Sequence, residues 1–327
     1  MPLRPLRLGE MLEITFRTFR KYFGTILTLS GFLAAFMAIG SVVFLWAVTR
    51  SHLLDHLTSI SQELQKNPNA AVPTHWSQWS DVSPGVLIAG LGVYLLTFII
   101  GFNLSQLFFA HVGGEAILGA KVSAGAIWRM SRRQIGRILG LMVVLWFMLT
   151  GIYVLTFAIG IALFLVPAVG PLLGLIWIVA GLVFLFWVMV RTYYVAPIAL
   201  ALEDLGAIRS IKRSLTLVKG SFWRVFGYVF VAGLVTAIIQ FAVTVPFNII
   251  GAVGNASTVN TGSIGTSGFA GLSTFGLFAQ MVGSIVSLAV SIPFITLFTT
   301  YLYTELRIRN ENLAPVLERS AAQRGLG

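Results

Sequence analysis

Residues 138–164 read ILGLMVVLWFMLTGIYVLTFAIGIALF, residues 165–171 LVPAVGP and residues 172–195 LLGLIWIVAGLVFLFWVMVRTYYV, with Arg191 the single charged residue in the whole stretch. Each apolar arm exceeds the roughly 20 residues that a helix needs to cross a hydrocarbon layer about 30 Å thick. Between them, Val166-Pro167-Ala168-Val169-Gly170-Pro171 combines proline and glycine in a way that favours a tight turn over a continued helix. The stretch therefore predicts two membrane spans joined as a hairpin. Working outward, comparable apolar runs recur at 25–48, 85–110, 225–250 and 273–300, so the chain reads as an all-α polytopic protein with six transmembrane helices in three hairpins. The composition agrees: 57% of residues are hydrophobic and 10% charged, against about a quarter charged in soluble domains.

The charges set the expected orientation. Twenty of the 22 lysines and arginines fall in four clusters: Arg4 to Lys21, Lys121 to Arg137, Arg191 to Arg224, and Arg307 to Arg324. Only Arg50 and Lys66 lie elsewhere. Basic residues beside spanning helices are retained in the cytoplasm. Both termini are thus expected inside, with a single membrane domain over 1–310, an extracytoplasmic loop at 49–84 and a cytoplasmic tail at 311–327. The apolar stretch from Thr25 to Val48 is longer than a secretory signal core and is expected to remain as the first span. Within the outer loop, Leu53, Leu57, Ile60 and Leu64 line one face of a short amphipathic helix, and Trp76 and Trp79 suit the outer interface. The loop at 251–272 is rich in glycine and expected to be mobile.

The net charge of +11 raises nucleic acid as a partner. No helix-turn-helix, zinc finger or RNA-binding sheet is legible, and the charges hug apolar spans. Anionic lipid of the cytoplasmic leaflet is the better fit, at about 1 kcal/mol per basic residue near the surface. The chain has no cysteine, which removes disulfides, thiolate nucleophiles and sulfur-ligated metals.

On the inner side a five-residue pattern, Arg-x-x-basic-basic, recurs at Arg17/Arg20/Lys21, Arg129/Arg132/Arg133 and Arg209/Lys212/Arg213. Each copy lies on a segment with apolar residues at helical spacing, such as Leu12, Phe16, Phe19 and Phe23, and each precedes a pair of spans. This predicts three units of cytoplasmic amphipathic helix plus hairpin, with the apolar faces down in the interface and the basic faces toward lipid phosphates. Recurrence of so short a pattern also arises by chance in juxtamembrane segments, and true internal repetition stays open. Arg307 and Arg309 join these residues as expected lipid or partner contacts. Glu305/Arg309 and Arg307/Glu311 are spaced for ion pairs along one helix. A docking face shared by this tail and the Arg209–Arg224 segment, with Glu203-Asp204 pairing to a basic residue of the tail, is the sharper of two readings; a solvated extension of the last span is the other.

No Asp, Glu or Lys lies near the middle of a span, which counts against proton- or ion-coupled transport. The polar residues at membrane depth are Asn103, Gln106, Gln240 and Gln280. They either line a substrate path or hydrogen-bond between helices, and bundle assembly is the favoured reading. Pro246 and Pro293 interrupt spans five and six. Small residues at Gly31/Ala35, Ala34/Ala38 and Gly136/Gly140 allow close helix approach. His52 and His56 are four apart beside Asp55, with Glu63 further along. Without a His-Glu-x-x-His pattern they read as a solvated face, and no metal or other cofactor is expected. His111 reads as an interfacial side chain at the inner end of span two.

Arg4-Pro5-Leu6-Arg7-Leu8-Gly9-Glu10, with Phe16-Arg17 and Phe23-Gly24, resembles the N-terminus of the bacterial glycerophosphoryl diester phosphodiesterase membrane-domain family. The middle stretch is similar too, through Ala196-Pro197, Ala201-Leu202-Glu203, Arg213-Ser214 and Lys219-Gly220-Ser221-Phe222-Trp223-Arg224. Tyr303-Thr304-Glu305-Leu306-Arg307-Ile308-Arg309 resembles its aromatic-x-acid-Leu-Arg-x-Arg ending, with Glu where Asp is commoner. The resemblance covers essentially the whole chain and implies a multi-pass protein of the bacterial cytoplasmic (inner) membrane. It implies no hydrolysis: the family name comes from members fused to a phosphodiesterase domain, and no soluble segment here could hold a barrel of about 250 residues.

The sequence thus predicts a non-enzymatic integral membrane protein without catalytic residues, a scaffold or accessory component of envelope or membrane-lipid processes. It would engage anionic lipids and a cytoplasmic or membrane protein partner, with self-association left open. The alternative is a permease for a lipid or small solute.

Overall fold

The computed structural model describes residues 7–53, 83–120, 122–167, 169–256 and 274–311. Among these residues there are ten helices and no strand: α1 Leu8–Lys21, α2 Phe23–Arg50, α3 Pro84–Ile117, α4 Ala124–Ser131, α5 Ile135–Phe164, α6 Gly170–Thr192, α7 Ala196–Glu203, α8 Ala207–Val218, α9 Phe222–Ala256 and α10 Thr274–Glu311. Six helical segments are long and apolar enough to cross a membrane, α6 and α7 counting together as one. Each covers one of the six apolar runs in the sequence. Two run well past their expected inner ends, α3 to Ile117 and α10 to Glu311. The outer-loop features at 54–82, including His56, Asp55, Glu63 and the two tryptophans, lie outside the described residues. So do residues 257–273.

The chain divides into two compact units, with boundaries inside α2, α3, α9 and α10. One unit comprises Ser30–Phe102 and Thr236–Ile292, the apolar parts of these four helices. In it α2 meets α3 at small residues. A Cβ at Gly40 would fall on the Thr97 side chain, one at Gly90 on Ala47, and one at Gly101 would sit 2.7 Å from Met37 Cε. In lipid no hydrophobic force drives helix against helix, and close approach over small side chains replaces it. The contacts do not use the expected pair Gly31/Ala35, since a Cβ at Gly31 would meet nothing within 4 Å. The same is true of Gly136 and Gly140 in the other unit. α9 and α10 continue through Pro246 and Pro293 without ending there, a correction to their expected interruption. Spanning helices tolerate proline because neighbouring groups satisfy the freed carbonyl.

The other unit comprises Met1–Leu29, Asn103–Val235 and Pro293–Gly327. It holds α5 and α6, joined by the turn at Pro167, and the short helices α1, α4, α7 and α8. Gly181 lies against Thr156, and Gly160 against Ile178, so both interfaces of the α5/α6 pair are closed over glycine. Their outward faces keep large apolar side chains open, among them Phe147 at 66% and Leu155 at 62% exposure. In a water-soluble chain such a surface would be a liability; facing acyl chains it is the expected one.

α7 is the buried centre of this unit. Ala196, Pro197, Ile198, Ala199, Leu200 and Ala201 are all buried, and Pro197 sits in the first turn, where a missing N–H costs nothing. Asp204 ends α7 in the left-handed region, φ 53°, a conformation that Asp tolerates through its short polar side chain. α8 follows at once and turns Ser210, Ser214, Leu217 and Val218 inward, leaving Arg209 and Lys212 exposed. The Ser214 hydroxyl donates to the Arg191 carbonyl at the end of α6. The Asn310 amide donates to the Leu217 carbonyl at 3.0 Å, tying the end of α10 to α8. α1 turns Met11, Thr15 and Thr18 inward. Thr18 Oγ1 lies 2.6 Å from Tyr301 Oη on α10, and the Tyr22 hydroxyl donates to the Ala120 carbonyl at 2.9 Å.

The three Arg-x-x-basic-basic segments differ in local structure. The first lies wholly in α1 and the third wholly in α8. The second splits, with Arg129 in the last turn of α4 and Arg132 and Arg133 in the turn before α5. Ser123 caps the start of α4 by accepting from the Ala126 N–H at 3.3 Å.

Candidate functional site

The Arg132-Arg133 turn is held by its neighbour Gln134, which is 7% exposed. The Gln134 side-chain amide nitrogen donates to the Ala201 carbonyl at 3.3 Å and to Asp204 Oδ1 at 2.7 Å. A carboxylate only accepts, so this fixes the amide orientation and turns Oε1 toward His111 Nε2, 3.1 Å away. The proton of the neutral His111 imidazole therefore sits on Nε2. Arg137, one turn into α5, completes the chain by donating to the Asp204 carbonyl at 2.8 Å and pairing with Oδ1 at 2.9 Å. The hydrogen bond from Gln134, and then Arg137, hold the Asp204 carboxyl below its ordinary pKa. His111 is buried and is one link of a chain joining α3, the α4–α5 turn, α7 and α5.

Above this chain opens a cavity of about 800 Å³. Its walls include Arg129, Arg132, Arg133 and Arg137 on one side and Tyr303 and Arg307 of α10 on the other. Glu115 and Asp204 are its carboxylates. Among the described residues, five guanidinium groups against two carboxylates leave a charge of +3 on the lining. Arg137 is matched by Asp204, and Arg307 by Glu203 at 3.2 Å and Glu311 at 3.1 Å. Among the described residues, Arg129, Arg132 and Arg133 have no carboxylate within ion-pair distance. Leu118, Met130 and Leu202 add an apolar share of the wall.

A second cluster lies beside it. Glu203, at the end of α7, accepts three hydrogen bonds from Arg213 of α8, at 3.0 to 3.2 Å, and one from the Tyr303 hydroxyl. Arg213 also pairs with Glu311, and Arg307 bridges the same two glutamates. The Arg213 guanidinium is held above its ordinary pKa by Glu311 and Glu203. Deeper in α10, the side chain of Glu305 is fully buried between Arg224 at 3.1 Å and Arg309 at 3.3 Å. The end of α10 and α8 do share one ionic face, and Glu203 does meet the tail through Arg307. Asp204 turns the other way, to Arg137.

The remaining residues singled out in the sequence distribute as follows. Arg17, Arg20, Lys21, Arg209 and Lys212 are exposed and have no carboxylate partner among the described residues. Arg213, Arg307 and Arg309 are each paired with a carboxylate. Asn103 and Gln106 are buried in the unit that holds the cavity but do not line it. Gln240 and Gln280 belong to the other unit, where Gln280 borders a pocket of about 200 Å³ with Ser41 and Ser284. Gln134 was missed in the sequence. Its one signal was its place, an uncharged polar residue between a basic pair and the start of a span.

An all-helical, multi-pass membrane protein with an arginine-walled cavity beside its short helices is the class that this geometry defines. The chain belongs to the family described as Domain of unknown function (DUF7847), which matches residues 16–306. No curated protein and no solved structure matches it.

Proposed function

We propose that this is a non-enzymatic accessory protein of the bacterial cytoplasmic membrane, with the basic short helices on the inner side, where they engage anionic lipid and dock a cytoplasmic or membrane partner. The observation that carries this reading is the pairing of open cations with open apolar side chains. Arg17, Arg20 and Lys21 lie beside exposed Phe16 and Phe23, Arg129 beside Trp128 and Met130, and Arg209 beside Ile208. A helix with that surface rests at the membrane–water boundary, apolar side chains among the acyl chains and cations among the phosphates. The resemblance to the phosphodiesterase membrane-domain family supports the same membrane. The charge bias of the sequence supports the inward orientation.

The test is the lipid that co-purifies with the full chain in native nanodiscs. Replacing Arg17, Arg20, Lys21, Arg209 and Lys212 together by glutamine is expected to lower the enrichment of phosphatidylglycerol over phosphatidylethanolamine around the protein by several-fold. Unchanged enrichment in a variant of normal thermal stability would refute the reading.

A further inference from the structure

We infer that the cavity above Gln134 is a saturable binding site for an anionic phosphate ester or diphosphate, with Arg129, Arg132 and Arg133 as its primary ligands. The inference deepens the reading just given and rests on it for the membrane side on which the site opens. The binding chemistry itself comes from the cavity alone.

Four observations converge on it. The first is the uncompensated charge. Arg137 and Arg307 already have carboxylates, while the three arginines of α4 and its following turn have none among the described residues. Three guanidinium groups within five positions repel one another, and an anion between them removes that cost. The second is their type. Guanidinium presents a planar fork of donors that matches phosphate in a bidentate manner, which a lysine ammonium cannot do; among the described residues every cation on this lining is an arginine.

The third is rigidity. Gln134 is anchored to Ala201, Asp204 and His111, so the turn carrying Arg132 and Arg133 is held from α3 and from the end of α7 at once. A site whose supports are locked loses less entropy on binding. Gln134 is thus a positioning residue, and the buried end of α7 is its foundation. The fourth is size. A volume of about 800 Å³ lies within the span of small-molecule sites, roughly 300–1,000 Å³, and far exceeds one phosphate ion. Leu118, Met130 and Leu202 offer apolar wall for the rest of the ligand. The chemistry shared by the fitting ligands is a phosphate ester or diphosphate attached to an uncharged or apolar body. A phospholipid headgroup and a soluble phosphorylated metabolite both meet it.

The experiment uses the full chain in nanodiscs of phosphatidylcholine, titrated with inorganic pyrophosphate by calorimetry, then repeated in nanodiscs containing one-fifth phosphatidylglycerol or cardiolipin. The expected result is one saturable site per chain in the neutral nanodisc. Arg132→Gln and Arg133→Gln should each weaken it by about ten-fold, the loss of one charge-assisted contact. Gln134→Leu should weaken it with all arginines present. Competition by phosphatidylglycerol or cardiolipin assigns the site to a lipid headgroup; undiminished pyrophosphate affinity assigns it to a soluble ligand. Absence of saturable binding, or binding that Arg132→Gln and Arg133→Gln leave intact, overturns the proposal. Arg132 and Arg133 are exposed and have no carboxylate partner among the described residues, so these variants are expected to fold, and a thermal melt verifies it. The Arg17/Arg20/Lys21/Arg209/Lys212 variant separates the two readings: it should lose bulk anionic-lipid enrichment and keep the pyrophosphate site.

Discussion

Replacing Glu203 by glutamine tests whether the ionic cluster between α7, α8 and α10 holds this end of the protein together. Glu203 accepts three hydrogen bonds from Arg213, one from Tyr303 and an ion pair from Arg307 at 3.2 Å. Its side chain is 17% exposed and that of Arg213 26%, so solvent screens the pair only in part. An exposed pair contributes about 0.2–1 kcal/mol, and stranding a fully buried charge costs about 3–5 kcal/mol. Glu203→Gln falls between these limits. Glu311 stays in place for both Arg213 and Arg307, so neither cation is stranded, while charge-assisted hydrogen bonds worth about 1.5–3 kcal/mol become neutral ones.

The expected loss is about 2 kcal/mol, which corresponds to a fall of roughly 4–8 °C in Tm for a cooperative unit of 150–250 residues. Thermal unfolding in detergent, followed by intrinsic fluorescence, measures it. Arg209→Gln, on the exposed side of α8, serves as the comparison and is expected to stay within about 0.5 kcal/mol of the parent. A cycle with Arg213→Gln should show a coupling of about 1–2 kcal/mol. Equal Tm values for the Glu203 and Arg209 variants, or additive effects in the cycle, would refute the account of the cluster.

Three further outcomes are expected. Tyr301→Phe removes the partner of the buried Thr18 hydroxyl and should cost about 1–2 kcal/mol, read as a lowered Tm that Thr18→Val in the same chain partly restores. Gly181→Val drives a side chain into Thr156 and should cost about 1–3 kcal/mol by overpacking, whereas Gly140→Val, with nothing within 4 Å, should leave the melt unchanged. Asp204 has a folded-state pKa below its unfolded value, so its stabilising contribution is complete above the ordinary carboxylate pKa of about 4 and is lost as pH falls through the folded value. Melts should therefore be indifferent to this group between pH 8 and 5 and weaken below about pH 4, and Asp204→Asn should remove part of that acid-side decline.

Much of the fold was legible because a membrane imposes its demand locally. A span must be apolar over some 20 consecutive residues, so 138–195 announces two helices and a turn whatever the rest of the chain does. The positions of α1 and α8 were legible for a similar reason, since each carries apolar residues at helical spacing within its own short stretch. The ionic face between the α10 extension and α8 was half legible, through the spacing of Arg307/Glu311 and Glu305/Arg309. The partner choices were not. Nothing local separates Glu203, which turns to Arg213 and Arg307, from its neighbour Asp204, which turns to Gln134 and Arg137. The chain turns at Asp204, in the left-handed region, and the two carboxylates meet different elements.

The glycines make the same point. Gly31/Ala35 and Gly136/Gly140 satisfied the small-residue spacing and meet nothing, while Gly40, Gly101 and Gly181 are the ones that lie against neighbouring side chains. Spacing reports which faces permit close approach, and only the arrangement of the other helices decides which faces are used.

By itself, then, the amino-acid order determined the number and length of the membrane-crossing segments, their all-helical class and where the positive charge collects. Those properties are sums over consecutive residues, and hydration or lipid reads them one segment at a time. Tertiary structure decided which arginines remain open. Arg213, Arg307 and Arg309 are paired with carboxylates 4 to 104 positions away, whereas Arg129, Arg132 and Arg133 are left facing a cavity. Charge neutralisation acts through space over a few ångströms, so it is settled by chain elements that meet only in the folded protein.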